Sequence, residues 1–152
     1  MRLAPIASLV LLGACGKPVT EEEALFIHAV LTEFLDDGRW EEATVDCPGG
    51  GTAELTVGRD VWEQQVAMDY ELSDCAFTAE EDPLIGIEGL VARPDPVIRG
   101  LMAGDVVLGG PIEADCHLEV GDGYEGKPYL GTICGHNVLD LGLAELVDDG
   151  EE

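Results

Sequence analysis

Positive charge is what this chain of 152 residues most lacks: seven lysines and arginines stand against 32 aspartates and glutamates. The resulting net charge of −25 is spread along the chain and repels phosphate backbones and anionic head groups. It argues against a nucleic-acid partner. It suits a basic partner, a divalent cation, or no more than a well-solvated acidic surface. Serine is almost missing too. Beyond residue 14 only Ser73 remains, with no Gly-x-Ser-x-Gly setting of a nucleophile elbow. Gly49-Gly50-Gly51 is followed by neither Lys-Ser/Thr nor a helical pattern, so there is no phosphate loop and no dinucleotide fingerprint. No apolar run approaches the ~20 residues needed to cross a bilayer.

What is present begins at the N-terminus. Met1-Arg2 opens a short apolar segment over residues 3–12, closed by the small pair Gly13-Ala14. A positive start, an apolar core and small residues make a secretory signal. The next residue is Cys15. Leu12-Gly13-Ala14-Cys15 resembles the lipobox of bacterial lipoproteins, and this resemblance covers residues 1–15. It implies a diacylglyceryl group on the Cys15 thiol, cleavage before it and acylation of the new amino group. Several acyl chains anchor stably where one binds only marginally. Gly16, in place of an aspartate after the cysteine, is similar to the enterobacterial pattern for the outer membrane. The expected division is a signal peptide over 1–14, a lipidated anchor and linker over 15–19, one globular domain over 20–146 and a disordered acidic end over 147–152. The linker spans roughly 15 to 20 Å even when extended, so the domain is expected to sit close to the bilayer.

Thr20 and Glu23 have capping-box spacing, and Glu21 and Glu22 place negative charge where a helix dipole favours it. Ala24, Ile27, Leu31, Phe34 and Leu35 follow at helical period, and Gly38 offers a stop. The spacing predicts a helix over 20–37. His28, Thr32 and Asp36, four apart, read as its polar stripe, with His28 at the surface. Further on the period shortens to two. Trp62, Val66, Met68, Tyr70 and Leu72 share one parity, and Glu63, Gln65, Asp69 and Glu71 the other, which is a half-wet strand. Other strand candidates are 53–57, 85–92, 97–102, 105–108, 112–120 and 129–134, with a turn at Gly58-Arg59-Asp60 and punctuation at 93–96, 109–111 and 121–123. The echo of 87–92 in 98–103 reads as a hairpin about Pro94-Asp95-Pro96. The predicted fold is α+β, mainly antiparallel β: one N-terminal helix on a twisted sheet or small sandwich of six or seven short strands.

Once Cys15 is set aside, Cys47, Cys75, Cys116 and Cys134 form an even set in an exported chain, which reads as two disulfides. Cys116 and Cys134 are symmetric about Glu125, and Cys47 and Cys75 nearly so about the turn at 58–60. Hairpin geometry therefore favours Cys47–Cys75 and Cys116–Cys134. Zinc on Cys116-His117 and Cys134-Gly135-His136 is the sharper alternative, but it lacks the usual cysteine spacing. Glu119, Asp122 and Glu125 are calcium candidates around a glycine-rich loop, without an EF-hand pattern. No catalytic set and no cofactor is indicated. The expected function is an envelope lipoprotein held in the lipid bilayer by Cys15, binding an envelope protein or cell-wall partner without catalysis. The alternatives are a hydrolase of an envelope polymer using carboxylates or histidine, and a calcium-binding protein.

Overall fold

A computed structural model describes residues 18–36, 41–59, 66–78, 85–94, 100–122 and 128–143. Helix α1 occupies Glu21–Leu35 and starts as its sequence predicts. Thr20 Oγ1 accepts from the Glu23 N–H at 3.2 Å, and Glu23 Oε1 accepts from the Thr20 N–H at 3.1 Å. The eight strands are β1 (Ala43–Asp46), β2 (Thr52–Arg59), β3 (Val66–Phe77), β4 (Ile85–Arg93), β5 (Met102–Gly109), β6 (Ala114–Asp122), β7 (Pro128–Ile133) and β8 (His136–Asn137). Each pairs antiparallel with its neighbour in sequence, giving one sheet in the order β1-β2-β3-β4-β5-β6-β7-β8.

Period-two alternation makes this sheet two-faced. Leu55, Tyr70, Leu72, Ile87, Val91 and Val106 are buried, as are Leu118 and Ile133 further along. They meet Ala24, Ile27, Leu31 and Leu35 of α1 in a single apolar cluster. At ~25 cal/mol per Å² of apolar surface, burying each large aliphatic side chain stabilises by roughly 1.5–3 kcal/mol. The helix is thus held by its packing, since 15 residues in isolation are marginal.

Its C-terminal end is held from the sheet. The last turn carries no basic residue. Arg93 of β4, 4% exposed, supplies the cation: its Nη1 donates to the Leu35 carbonyl at 2.6 Å and its Nη2 lies 3.5 Å from Asp36 Oδ1. Tyr70 Oη donates to the same carbonyl at 3.4 Å. A positive charge is favourable where the helix dipole is negative and carbonyls lack partners. Arg93→Met is expected to lower stability by about 2–4 kcal/mol, because Asp36 loses its cation and the Leu35 carbonyl loses the shorter of its two side-chain donors. Urea unfolding reads this, and Arg93→Lys should recover only part. A midpoint unchanged in Arg93→Met contradicts this account.

Several expectations are corrected. The expected α+β, mainly antiparallel fold with its N-terminal helix is present, in the form of a sheet and not a sandwich, and among the described residues it has eight strands where six or seven were expected. Both additions are edge strands: β1 is four residues long and β8 two. Of the strand expected over 97–102, Gly100 and Leu101 precede β5 and only Met102 belongs to it; β5 takes in the strand expected over 105–108 and begins earlier, running through Gly104, whose positive φ of 155° suits glycine. Residues 97–99 lie outside the described residues, as do Trp62 and the Pro96 turn. Gly58 and Arg59 do not turn; they pair with Ala67 and Val66 inside the β2–β3 ladder. Gly121 and Asp122 likewise belong to β6 and not to a loop. The strand expected from Ile112 begins at Ala114.

Both predicted disulfides are present, with Cα–Cα separations of 5.4 Å for Cys47–Cys75 and 4.4 Å for Cys116–Cys134. Their settings differ from simple facing pairs. A register shift between Leu72 and Cys75 brings Cys75 under the β1–β2 loop that holds Cys47, so this bridge passes beside β2. A second shift at Gly121/Asp122 leaves Cys134 one residue past β7, where its φ is 49° and its N–H donates to the His117 carbonyl at 3.0 Å.

Candidate functional site

Two aromatic rings, Phe34 and Phe77, set the floor of a cleft between α1 and the first edge of the sheet, with Tyr70 packed behind Phe34. Phe34 of α1 meets Phe77 of β3 edge-on at 5.5 Å and Tyr70 at 6.1 Å between centroids. Such edge-to-face packing is favoured by the ring quadrupoles and fixes the rings' directions. Beside them, Val30 of α1 and Val45 of β1 complete an apolar lining, and the space encloses about 350 Å³. That is at the small end of the ~300–1,000 Å³ typical of binding pockets. Two carboxylates, Glu33 and Asp46, stand at its rim. Pro48 and Thr78 close the end nearest the β1–β2 loop.

The loop forming that wall is braced. Gly49 N–H donates to the Ala76 carbonyl at 2.8 Å, and Ala76 N–H donates to the Gly50 carbonyl at 2.9 Å. The Cys47–Cys75 bridge ties the same two segments covalently. Gly51 fits against Asp74 only because it has no Cβ. A wall held this way needs no ordering when something binds, which removes one cost of association.

Strand β1 is an open edge among the described residues: it pairs with β2 on one side only. Cys47 N–H donates to the Gly51 carbonyl at 3.0 Å, toward β2. Because backbone groups alternate sides along a strand, Val45 also faces β2, and Thr44 and Asp46 turn their N–H and C=O outward. The cleft and these free groups lie side by side.

The outer face of the sheet is different in kind. Glu54 and Glu71 stand opposite each other, Asp69, Glu88 and Asp115 are exposed nearby, and Leu90 and Val107 lie among them at more than half exposure. His117 on this face donates from Nδ1 to Asp105 Oδ1 at 2.6 Å, and its Nε2 is 3.5 Å from Glu119 Oε2. These contacts, Asp105's first, raise its pKa above the usual value.

His28 overturns the expectation of a surface residue. It is 6% exposed, and its Nε2 donates to the Gly100 carbonyl at 3.0 Å, with Thr32 Oγ1 at 3.4 Å. The stripe His28–Thr32 faces the sheet's connection before β5, not water. Burial pushes the His28 pKa down, against the opposing pull of its bond to Gly100. The unfolded ring therefore takes up its proton first. Its contribution to stability is complete above about pH 6.5 and is lost as pH falls through that value toward the folded pKa. His117 works in the opposite sense, contributing below about pH 6.5 and losing that as pH rises through its raised pKa. His28→Gln is expected to flatten the fall in urea midpoint between about pH 7 and pH 5, whereas His117→Gln is not. A native slope in His28→Gln contradicts this assignment.

Of the other residues singled out, Cys15 and Glu125 lie outside the described residues. Glu119 is exposed on β6, and the backbone of Asp122 ends that strand. No group of three or more metal-ligating side chains occurs among the described residues. Cys116 and Cys134 are joined to each other, so their thiols are not zinc ligands. His136 Nε2 donates to the Val19 carbonyl at 2.5 Å, and Val19 is buried. Sequence reasoning missed Arg93, Val45 and the cleft. Period-two patterning needs more residues than β1 has, and no local pattern pairs Phe34 with Phe77. No protein-family model, curated protein or solved structure matches this chain.

Proposed function

We propose that this chain is an envelope lipoprotein, anchored by acyl chains on Cys15, whose domain is a non-catalytic binding module presenting its β1 edge. The observation that carries the reading is the β1 edge, unpaired among the described residues, beside a preformed apolar cleft, an arrangement that accepts a partner's backbone and side chains together. The three histidines support it. His28 is bonded to a main-chain carbonyl, His136 to another, and His117 to two carboxylates on an open face.

The tether fits the same picture. Val19 is buried and bonded to His136, so only residues 16–18 separate Cys15 from the folded domain. Three residues span at most ~10 Å, which holds the β8 end of the sheet against the bilayer. The β1 edge stands at the opposite end of the strand order from β8, the strand nearest the anchor.

Expression of the native chain and of Cys15→Ser in a bacterial host tests the anchor. The native protein is expected in the membrane fraction with an intact mass that includes acyl groups, and Cys15→Ser in the soluble fraction without them. Membrane retention of Cys15→Ser, with a mass changed by the substitution alone, would sink the anchor. Turnover of a peptidoglycan or polysaccharide library by purified protein, lost on changing one carboxylate or histidine, would favour a hydrolase.

A further inference from the structure

The binding-module reading leaves the partner undefined, and the cleft's chemistry narrows it. Resting on that reading, we infer that β1 takes up an extended peptide segment of a basic partner as a ninth strand, with alternate apolar side chains in the cleft and lysines or arginines between them.

The geometry sets the backbone requirement. Thr44 and Asp46 each offer an outward N–H and C=O, so a strand laid along β1 continues the hydrogen-bond ladder. Side chains of such a strand alternate between faces. Those on the inner face enter the space bounded by Val30, Phe34, Val45 and Phe77. Every second residue must therefore be apolar, and the volume of about 350 Å³ suits aliphatic side chains over a bulky polymer.

The charges set the rest. Glu33 and Asp46 rim the opening, and among the described residues no basic side chain lines it. The chain carries −25 overall, so a positive segment is drawn in and an acidic one repelled. The same charges argue against a second copy of this chain. An acidic edge strand brought against its own copy puts Asp46 and Glu33 against like charge, a familiar protection of edges from self-pairing. A basic segment escapes that repulsion. The acidic rim thus selects between occupants.

Binding of a fluorescein-labelled nonapeptide of alternating valine and lysine tests this, using the full lipidated protein in neutral phosphatidylcholine vesicles. Anisotropy is expected to show saturable binding that weakens with salt. The alternating valine and glutamate peptide is not expected to bind. Thr44→Pro removes one outward N–H while leaving the ladder to β2 intact, as proline does on an edge. It should weaken binding at least about tenfold, with the circular dichroism spectrum unchanged. Val30→Lys, which places a like charge in the cleft, should do the same without touching the edge. Glu54→Gln with Glu71→Gln, which shifts the net charge in the same sense as Val30→Lys and by twice as much but on the outer face, should leave the affinity within about twofold.

Absence of saturable binding overturns the inference, as does native affinity in both Thr44→Pro and Val30→Lys. An effect of the outer-face pair equal to theirs also overturns it, since attraction is then a property of the whole acidic surface. Concentration-dependent self-association abolished by Thr44→Pro would make the occupant a second copy. Mass spectrometry of the recovered probe separates the two levels. A cleaved peptide defeats the non-catalytic reading itself, whereas an intact, unbound one defeats the strand-addition inference alone.

Discussion

Replacing Cys47, Cys75, Cys116 and Cys134 together by alanine is expected to leave the domain largely unfolded at about 37 °C. The bridges span sequence separations of 28 and 18 residues. Loop-closure entropy for loops of that size gives about 3–4 kcal/mol each. Their combined contribution is then comparable with the whole stability of a typical domain, roughly 5–15 kcal/mol. Thermal melts of the quadruple variant and the two paired variants measure this. The two pairs are expected to differ in a second respect. Loss of Cys47–Cys75 frees the loop that walls the cleft, so it should weaken binding of the valine–lysine peptide. Loss of Cys116–Cys134 acts on β6 and β7, away from that loop, and should lower the melting temperature without that effect. A quadruple variant that melts like the native protein would show the bridges to be incidental.

The same bridges mark how far the sequence could be read. Helix α1 was legible because capping and apolar spacing are local: Thr20, Glu23 and the run from Ala24 to Leu35 all lie within five turns. The cysteine pairing was legible because an antiparallel hairpin maps sequence symmetry onto space. Register shifts at Ser73–Asp74 and Gly121/Asp122 displaced the details without breaking that symmetry.

What was illegible depends on contacts distant in sequence. His28 sits at helical spacing with Thr32 and Asp36, and such a stripe reads as wet. Its acceptor, the Gly100 carbonyl, is 72 residues away and leaves no local sign. Arg93 beside Pro94 reads as a turn residue, although it caps a helix 58 residues earlier. The cleft is harder still, since its floor joins Phe34 to Phe77. Of its lining, periodicity marked only the apolar residues that α1 contributes, Phe34 and Val30. Edge strands suffer similarly: β1 has one buried residue in four, too few to show alternation.

Gly131→Ala is expected to be among the most damaging single substitutions, with a loss of about 4 kcal/mol or more. Gly131 lies in β7 opposite Val120 of β6, with φ at 120°. L-residues rarely adopt that backbone conformation. A Cβ added there would also penetrate the carbonyl oxygen of Glu119, a main-chain atom that no rotamer change can move aside. Relief therefore requires β6 and β7 to separate. That movement is transmitted further, because the Gly131 carbonyl accepts from the Val138 N–H at 3.0 Å. Val138 is buried just beyond β8, whose His136 bonds Val19. The β8 end of the sheet should loosen with the β6–β7 ladder, while the β1 cleft at the other edge is spared. Gly121→Ala is the matched control, since its Cβ would meet only the Leu130 carbonyl oxygen at 3.8 Å, an ordinary contact. It should change stability by less than about 1 kcal/mol. Urea unfolding gives the two magnitudes, and amide exchange gives their location. Faster exchange at residues 131–138 in Gly131→Ala, with residues 43–57 near native, is the expected pattern. Equal midpoints for the two alanine variants would mean that the β6–β7 approach is not as close as this structure has it.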